Sequence, residues 1–402
     1  MDPHLSEWIN LTVRWVHLIV GIAWIGTSFF FNWLDSHLAA PVQTKKGVEG
    51  ELWLVHSGGF YQIEKYQVAP DRLPSTLHWF KWEAYSTWLS GFALLVIIYY
   101  LGADIYLVDP EVANIPTWVA ITLGIGVLIG SWLVYDQLCK SAVGDNPTRF
   151  ALIALLATTA VAFGLSQVFS ARAAFIHVGA MLGTLMVANV LAIIIPSQSQ
   201  LVAATKKGVA PDAALGAKAK QRSIHNNYMT LPVLFIMISN HFPSTYSHRY
   251  NWLILVGLTL IGVGVRHSFN LKNKGHRHPW LLPAAAMGLI ALAMVTASPS
   301  SFLSLKSNLV NDNRVGFTDV HTIINNRCVS CHSQNPTDDR FSAAPAGAKF
   351  DTAEQIRNQA AQINLRAVAS QSMPLGNTTG MTPEEREILG KWIAEGAQIE
   401  PD

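Results

Sequence analysis

Eight stretches of this chain are too apolar, for too long, to belong to an ordinary soluble domain. They run near Ile9–Leu34, Ala84–Leu101, Trp118–Tyr135, Arg149–Phe169, Arg172–Ile195, Ile224–His241, Arg249–Arg266 and Pro279–Ala297. A helix needs about 20 mostly apolar residues to cross a hydrocarbon core of about 30 Å. Inside lipid the backbone must satisfy its own hydrogen bonds, which a helix does without a partner. The expected fold is therefore all-α: a polytopic membrane helical bundle of about eight transmembrane helices over residues 1–300. Composition agrees. Half of the 402 residues are hydrophobic and 13% are charged, against about 25% charged in soluble chains. The net charge of +2 comes with no dense basic tract, so nucleic acid is excluded as a partner and the lipid bilayer is expected.

The loops orient the bundle, because Lys and Arg accumulate on the cytoplasmic side. Lys45, Lys46, Lys65, Arg72 and Lys81 follow the first stretch, and Lys206, Lys207, Lys218, Lys220 and Arg222 follow the fifth. Lys140 follows the third, and Lys272, Lys274 and Arg277 follow the seventh. The alternate connections are nearly bare. The odd-numbered loops are thus expected in the cytoplasm, with both termini outside. No cleavable signal peptide is expected, since no basic n-region precedes the first stretch and that stretch is too long. The loop Asp35–Glu83 is long and rich in aromatics, which argues against disorder; a cover over a site at the cytoplasmic mouth is one use for it.

After Ala297 the composition turns polar. A linker is expected over 301–314 and a second domain over 315–402. That domain carries Cys328-Val-Ser-Cys331-His332, the C-x-x-C-H signature of covalent haem attachment. Two thiols at this spacing form thioethers to one porphyrin, and the adjacent His reaches the iron. The sixth ligand tunes the potential, and Met raises it. Met373, in Ser372-Met373-Pro374, is the expected ligand; Met381 is the alternative, at a helix start where it can simply pack. A zinc site would need four ligands, and this segment offers no further Cys and only His321 besides. Thr382 and Glu385 form a capping box before a last helix that Gly396 should end. The segment reads as a small class I cytochrome c domain with a covalent haem c. The third cysteine, Cys139, reads as a small buried hydrophobe.

One helix would anchor a cytochrome, so eight require another role. Ionisable residues within spans are costly and usually functional. His17 lies roughly 12 Å and His177 roughly 8 Å from the outer ends of their helices, at 1.5 Å per residue. Both are candidate iron ligands for a haem b, with Arg14, one turn from His17, placed to meet a propionate. The bland alternative is a hydrogen bond from each ring to a carbonyl or a neighbouring Asn or Ser. His78, His225, His267 and Glu83 lie near inner helix ends and read as interfacial. Trp8, Trp15, Trp79, Trp82 and Trp88 read as an aromatic belt.

The stretch Arg14-Trp15-Val16-His17 through Ala23-Trp24-Ile25-Gly26, the run His78–Tyr85, the eight-helix part and the terminal Cys328–His332 module together resemble the bacterial membrane-bound urate oxidases (urate hydroxylases) fused to cytochrome c. The resemblance covers essentially the whole chain. The first helix is also similar to the haem-b-binding helix of small membrane proteins related to bacterial protoporphyrinogen oxidase. The resemblance implies oxidation of urate to 5-hydroxyisourate in the bacterial inner membrane. Electrons would leave through haem c, on the periplasmic side, instead of forming hydrogen peroxide. A soluble cytochrome c or terminal oxidase would accept them, and one or two haem b groups would help relay them. It assigns no catalytic residue. A quinol-oxidising electron-transfer module is the rival reading.

Overall fold

The computed structural model describes residues 2–43, 45–110, 112–296 and 315–399. The linker expected over 301–314 lies outside the described residues. The chain is mostly helical, and a helix occupies each of the eight expected positions. Helix α1 spans Pro3–His37, α2 Trp82–Leu95, α4 Thr117–Lys140 and α5 Pro147–Ser166, with a short α3 at Ala103–Tyr106. Helix α6 spans Ala171–Ala188, α7 Ile195–Lys206, α8 Ala213–Ser239, α10 Asn251–Asn273 and α11 Leu281–Thr296, with a short α9 at Pro243–Tyr246. Their starts follow local chemistry. Asp2, Asn146, Ser170 and Asp212 each accept a first-turn backbone N–H with the side chain, which offsets donors that helix geometry leaves unpaired.

Five helices among the described residues are long and apolar enough to cross a membrane: α1, α4, α5, the continuous α6–α7 rod and α10. Helix α11 is apolar but shorter. Helix α8 has the length, but its first half carries Lys218, Lys220, Arg222, His225, Asn226 and Asn227. Helix α2 gives way at Val96 to a wider π-helical turn ending at Tyr100. A second π turn, Asn189–Ile194, joins α6 to α7. Pro196 explains it: proline has no N–H and its ring crowds the carbonyl four residues back, so the rod widens there.

Packing inverts the soluble pattern. Leu133, Val134, Leu152, Leu156, Leu289 and Ile290 are exposed, whereas His177, Asn189, Arg222, Asn227, Thr230 and Arg266 are buried. That distribution suits helices surrounded by lipid, where polar groups must find partners inside the bundle. Helices α4, α6 and α8 form its centre around Phe175, Val178, Met181, Val233 and Ile236. Antiparallel α1 and α2 pack together, with α2 against α6.

The expectation of an all-α chain needs one correction. Within the Asp35–Glu83 loop, β1 (Val48–His56) and β2 (Gly59–Tyr66) form an antiparallel hairpin. Ser57 and Gly58 turn it with positive φ at both positions, the geometry of a tight two-residue hairpin turn. Lys65 ties it to Asp35 at the end of α1 (2.8 Å) and pairs within the hairpin with Glu49 on β1 (3.3 Å). The weak alternation of Glu, Lys and aromatics along these strands hid them in the sequence. Trp53, Val55, Phe60 and Tyr61 at the far end are exposed.

The C-terminal unit has its own core. Helices α12 (Phe317–Arg327), α13 (Ala353–Asn358), α14 (Ala360–Ile363) and α15 (Pro383–Ala394) enclose Val320, Ile324, Ile356, Leu389 and Trp392. Both halves of the Thr382–Glu385 capping box are present, and α15 ends before Gly396, as expected. Arg327 clamps α12 to α15 through Glu385 at 3.0 Å. The unit rests on the end of the bundle that carries the N-terminus. The turn Leu375–Asn377 packs on α3, and Asn364–Ala369 on α9. Ser342 donates to Glu7 at 3.4 Å.

Candidate functional site

Cys328 stands at the C-terminal cap of α12, and the turn that follows carries Cys331 and His332. The backbone N–H groups of Cys331 and His332 both return to the Cys328 carbonyl. One helical turn therefore holds both thiols and the imidazole. Burial pushes the Cys328 thiol up to about 12 and raises that of Cys331, so both stay thiols. Arg340 holds the neighbouring Asp338 carboxyl down to about 2.

His332 donates from Nδ1 to the Ala348 carbonyl at 3.0 Å. That bond fixes the ring and leaves Nε2 as the lone-pair nitrogen, the usual arrangement for a metal-bound His. Met373 lies on the loop after α14, its N–H bonded to the Arg366 carbonyl and its carbonyl to Arg386 Nη1 at 2.7 Å. Met381, in contrast, is buried in the core with Trp392. The two thiols and the His332 Nε2 lone pair suit covalent attachment of a haem c, and the Met373 backbone is held by Arg366 and Arg386.

The two membrane histidines share the same tautomer. His17 Nδ1 is 3.0 Å from both the Thr87 carbonyl and Ser90 Oγ. His177 Nδ1 is 2.8 Å from the Ala173 carbonyl. Each leaves Nε2 for a ligand. Their surroundings differ. The His17 ring sits in a notch at Gly91, where a Cβ would lie 2.9 Å from it. His177 is fully buried among Phe169, Tyr99 and Tyr100. Its Nε2 has no partner and faces Gly124, whose Cβ would meet it at 2.8 Å. The tautomer of His177 fits iron ligation, but a porphyrin at that nitrogen does not fit between α4 and α6 as they pack. No hydrogen bond or ring contact joins His17 to His177 among the described residues. Arg14 bonds Asn10 through Nε and is exposed on α1, within electrostatic reach of Arg172.

A third cluster lies toward the hairpin end of the bundle, and sequence reasoning missed it. Arg222, 1% exposed, reaches Asp136 Oδ1 from Nη2 at 2.7 Å and Asn189 from Nη1 at 3.4 Å. Asn189 opens the π turn. It donates to Tyr135 Oη at 2.9 Å and Asn226 Oδ1 at 2.8 Å. His225 stacks on Phe150 at 4.3 Å and bonds Tyr135 Oη at 2.8 Å. Half-buried itself, it joins a network that the sequence reading did not foresee.

The next residue of α8 after Asn226, Asn227, accepts from Arg266 Nε and donates to Asn270 Oδ1 at 3.1 Å. Arg266 lies over the Phe29 ring at 3.9 Å, and its Nη2 is buried without a partner. Glu83 also departs from expectation: its Oε2 is buried and unpartnered. His78 lies edge-on to Phe80, and His267 bonds Tyr228 at an exposed position. Charged and amide residues recurring inside apolar stretches were the available signal, but spacing alone could not show which faced one another.

No curated protein and no solved structure matches the chain. The family described as urate oxidase N-terminal matches residues 3–297. That match takes in the whole described bundle and stops short of the Cys328–His332 unit. Because it covers well over half of the sequence, the chain belongs to the urate oxidase N-terminal family.

Proposed function

We propose that the chain is a membrane-bound urate oxidase that converts urate to 5-hydroxyisourate without releasing hydrogen peroxide, and that its C-terminal unit carries the electrons away. One observation supports this most. A bundle of the urate oxidase N-terminal family and a C-x-x-C-H unit with an ordered His and Met occur in one chain and pack against each other. Family membership supports an oxidoreductase acting on urate. The C-terminal unit supports the route of the electrons.

The reaction balances as urate plus water giving 5-hydroxyisourate, two protons and two electrons. Oxygen comes from water, so dioxygen need not enter the site. A haem c on Cys328, Cys331, His332 and Met373 would supply one-electron transfer. The protein's part is to bind a flat anion in a dry site, orient it and accept its protons. Interior donors are stronger where water is excluded.

In this reading all eight helices span the bacterial inner membrane. The N-terminal end of the bundle and the C-terminal unit face the periplasm, and a soluble cytochrome c or terminal oxidase accepts the electrons there. One or two b haems belong to the same proposal. His17 is the ligand whose surroundings favour it, with Arg14 one turn away. His177 requires α4 to move aside.

Anaerobic addition of urate to the oxidised, haem-loaded full chain tests the proposal. The expected result is appearance of the reduced haem c absorption band, two haems reduced per urate consumed. No reduction in folded, haem-loaded protein overturns it and makes a quinol analogue the next addition.

A further inference from the structure

Among the described residues of the bundle two guanidinium groups are buried, and only that of Arg222 has a counter-charge. Arg222 meets Asp136 at 2.7 Å. Arg266, 6% exposed, pairs with no carboxylate among the described residues. Its Nε is satisfied by Asn227 Oδ1, its face is covered by Phe29, and its Nη2 donor is buried and unpartnered. A ring face offsets part of the cost of a desolvated cation. It does not replace an anion, and an unpaired donor in the interior costs further free energy.

The residues around Arg266 come from three helices. Asn227 and Asn270 fix its Nε side from α8 and α10. Phe29 comes from α1. An unpaired donor on a fixed cation thus stands beside an aromatic ring. A planar heterocyclic anion that carries carbonyl oxygens answers both.

We propose that Arg266, positioned by Asn227 and Phe29, binds the anionic edge of urate. The assignment rests on the reading of the chain as a urate oxidase. The Arg222–Asp136–Asn189 network is the neighbouring wall and holds α4, α6 and α8 together. Its charge is already met within the protein.

Equilibrium dialysis of urate against the full haem-loaded chain, kept reduced and anaerobic so that no turnover occurs, tests the site apart from activity. Arg266→Gln is expected to weaken urate binding about tenfold or more, the scale of losing one charge-assisted contact. Arg266→Lys should recover part of the loss, because it keeps the charge without the fork. Wild-type affinity in folded Arg266→Gln overturns the proposal. Should Arg266→Gln fail to fold, Arg266→Lys decides: weakened binding supports the site and unchanged binding overturns it. The outcome is separate from the functional reading. Urate that binds through Arg266 but never reduces the wild-type chain sinks the oxidase reading and leaves the anion site standing.

Discussion

At the residue scale, the two methionines of the C-terminal unit differ in burial, and a pair of substitutions assigns their roles. Both follow the Cys-x-x-Cys-His motif at distances a ligand loop can cover. Met381 is 3% exposed and packs with Ile324, Leu389 and Trp392, whereas Met373 is only partly buried, on a loop anchored through Arg366 and Arg386. Met373→Ala should lower the haem c reduction potential with little change in unfolding, because a thioether ligand favours the reduced iron. Met381→Ala should leave the potential in place and cost about 2–5 kcal/mol of stability, as for a large-to-small change in a core. Redox titration and denaturant melts of the two variants check this; the opposite pattern makes Met381 the ligand. The motif residues were legible in the sequence because their chemistry is local. Arg266, Asn227 and Phe29 were not, because three helices bring them together.

At the element scale, Thr382, Glu385 and Gly396 marked both ends of α15 in advance, whereas hydropathy placed the starts of α1 and α8 at Ile9 and Ile224, inside helices that begin at Pro3 and Ala213. Asp2, Asn146, Ser170, Asp212 and Thr382 all cap as their residue types suggest. A side-chain oxygen there meets a donor two or three residues on, whatever the tertiary fold. Thr382→Ala removes one half of the α15 capping box and should destabilise the C-terminal unit by about 1 kcal/mol. A thermal melt followed at the haem band measures it, and an unchanged midpoint would show that α15 is held by Trp392 packing alone. The π turn at Asn189–Ile194 was not readable. Pro196 signals a disturbance, but whether a helix kinks, breaks or widens depends on its neighbours. Here Asn189 is held by Tyr135, Asn226 and Arg222. The hairpin was hidden for a similar reason, since its pairing draws on Asp35 and Ala39 beyond its own strands.

At the scale of the whole molecule, topology follows from counting. On the proposed eight-span reading, the termini would share one side and the β1–β2 hairpin would face the other. The contact of the C-terminal unit with α3, α9 and Glu7 agrees with that arrangement. Protease-cleavable tags at the C-terminus and at Ser57-Gly58 check it in spheroplasts. The C-terminal tag should be cut from outside and the hairpin tag protected, whereas cleavage of both tags would remove one span from the count. The sequence by itself determined where the helices lie, which unit bears the Cys328–His332 motif and which end of the bundle is basic, because hydropathy, capping and covalent motifs act over a few residues. Only the tertiary structure decided that His177 is walled in by Gly124, that His225 joins a buried network, and that Arg266 keeps an unpaired donor over Phe29. Those facts depend on which helix faces meet. In lipid that choice rests on close packing and interhelical hydrogen bonds of about 0.6 kcal/mol each, too small and too distributed to leave a mark on any single stretch of sequence.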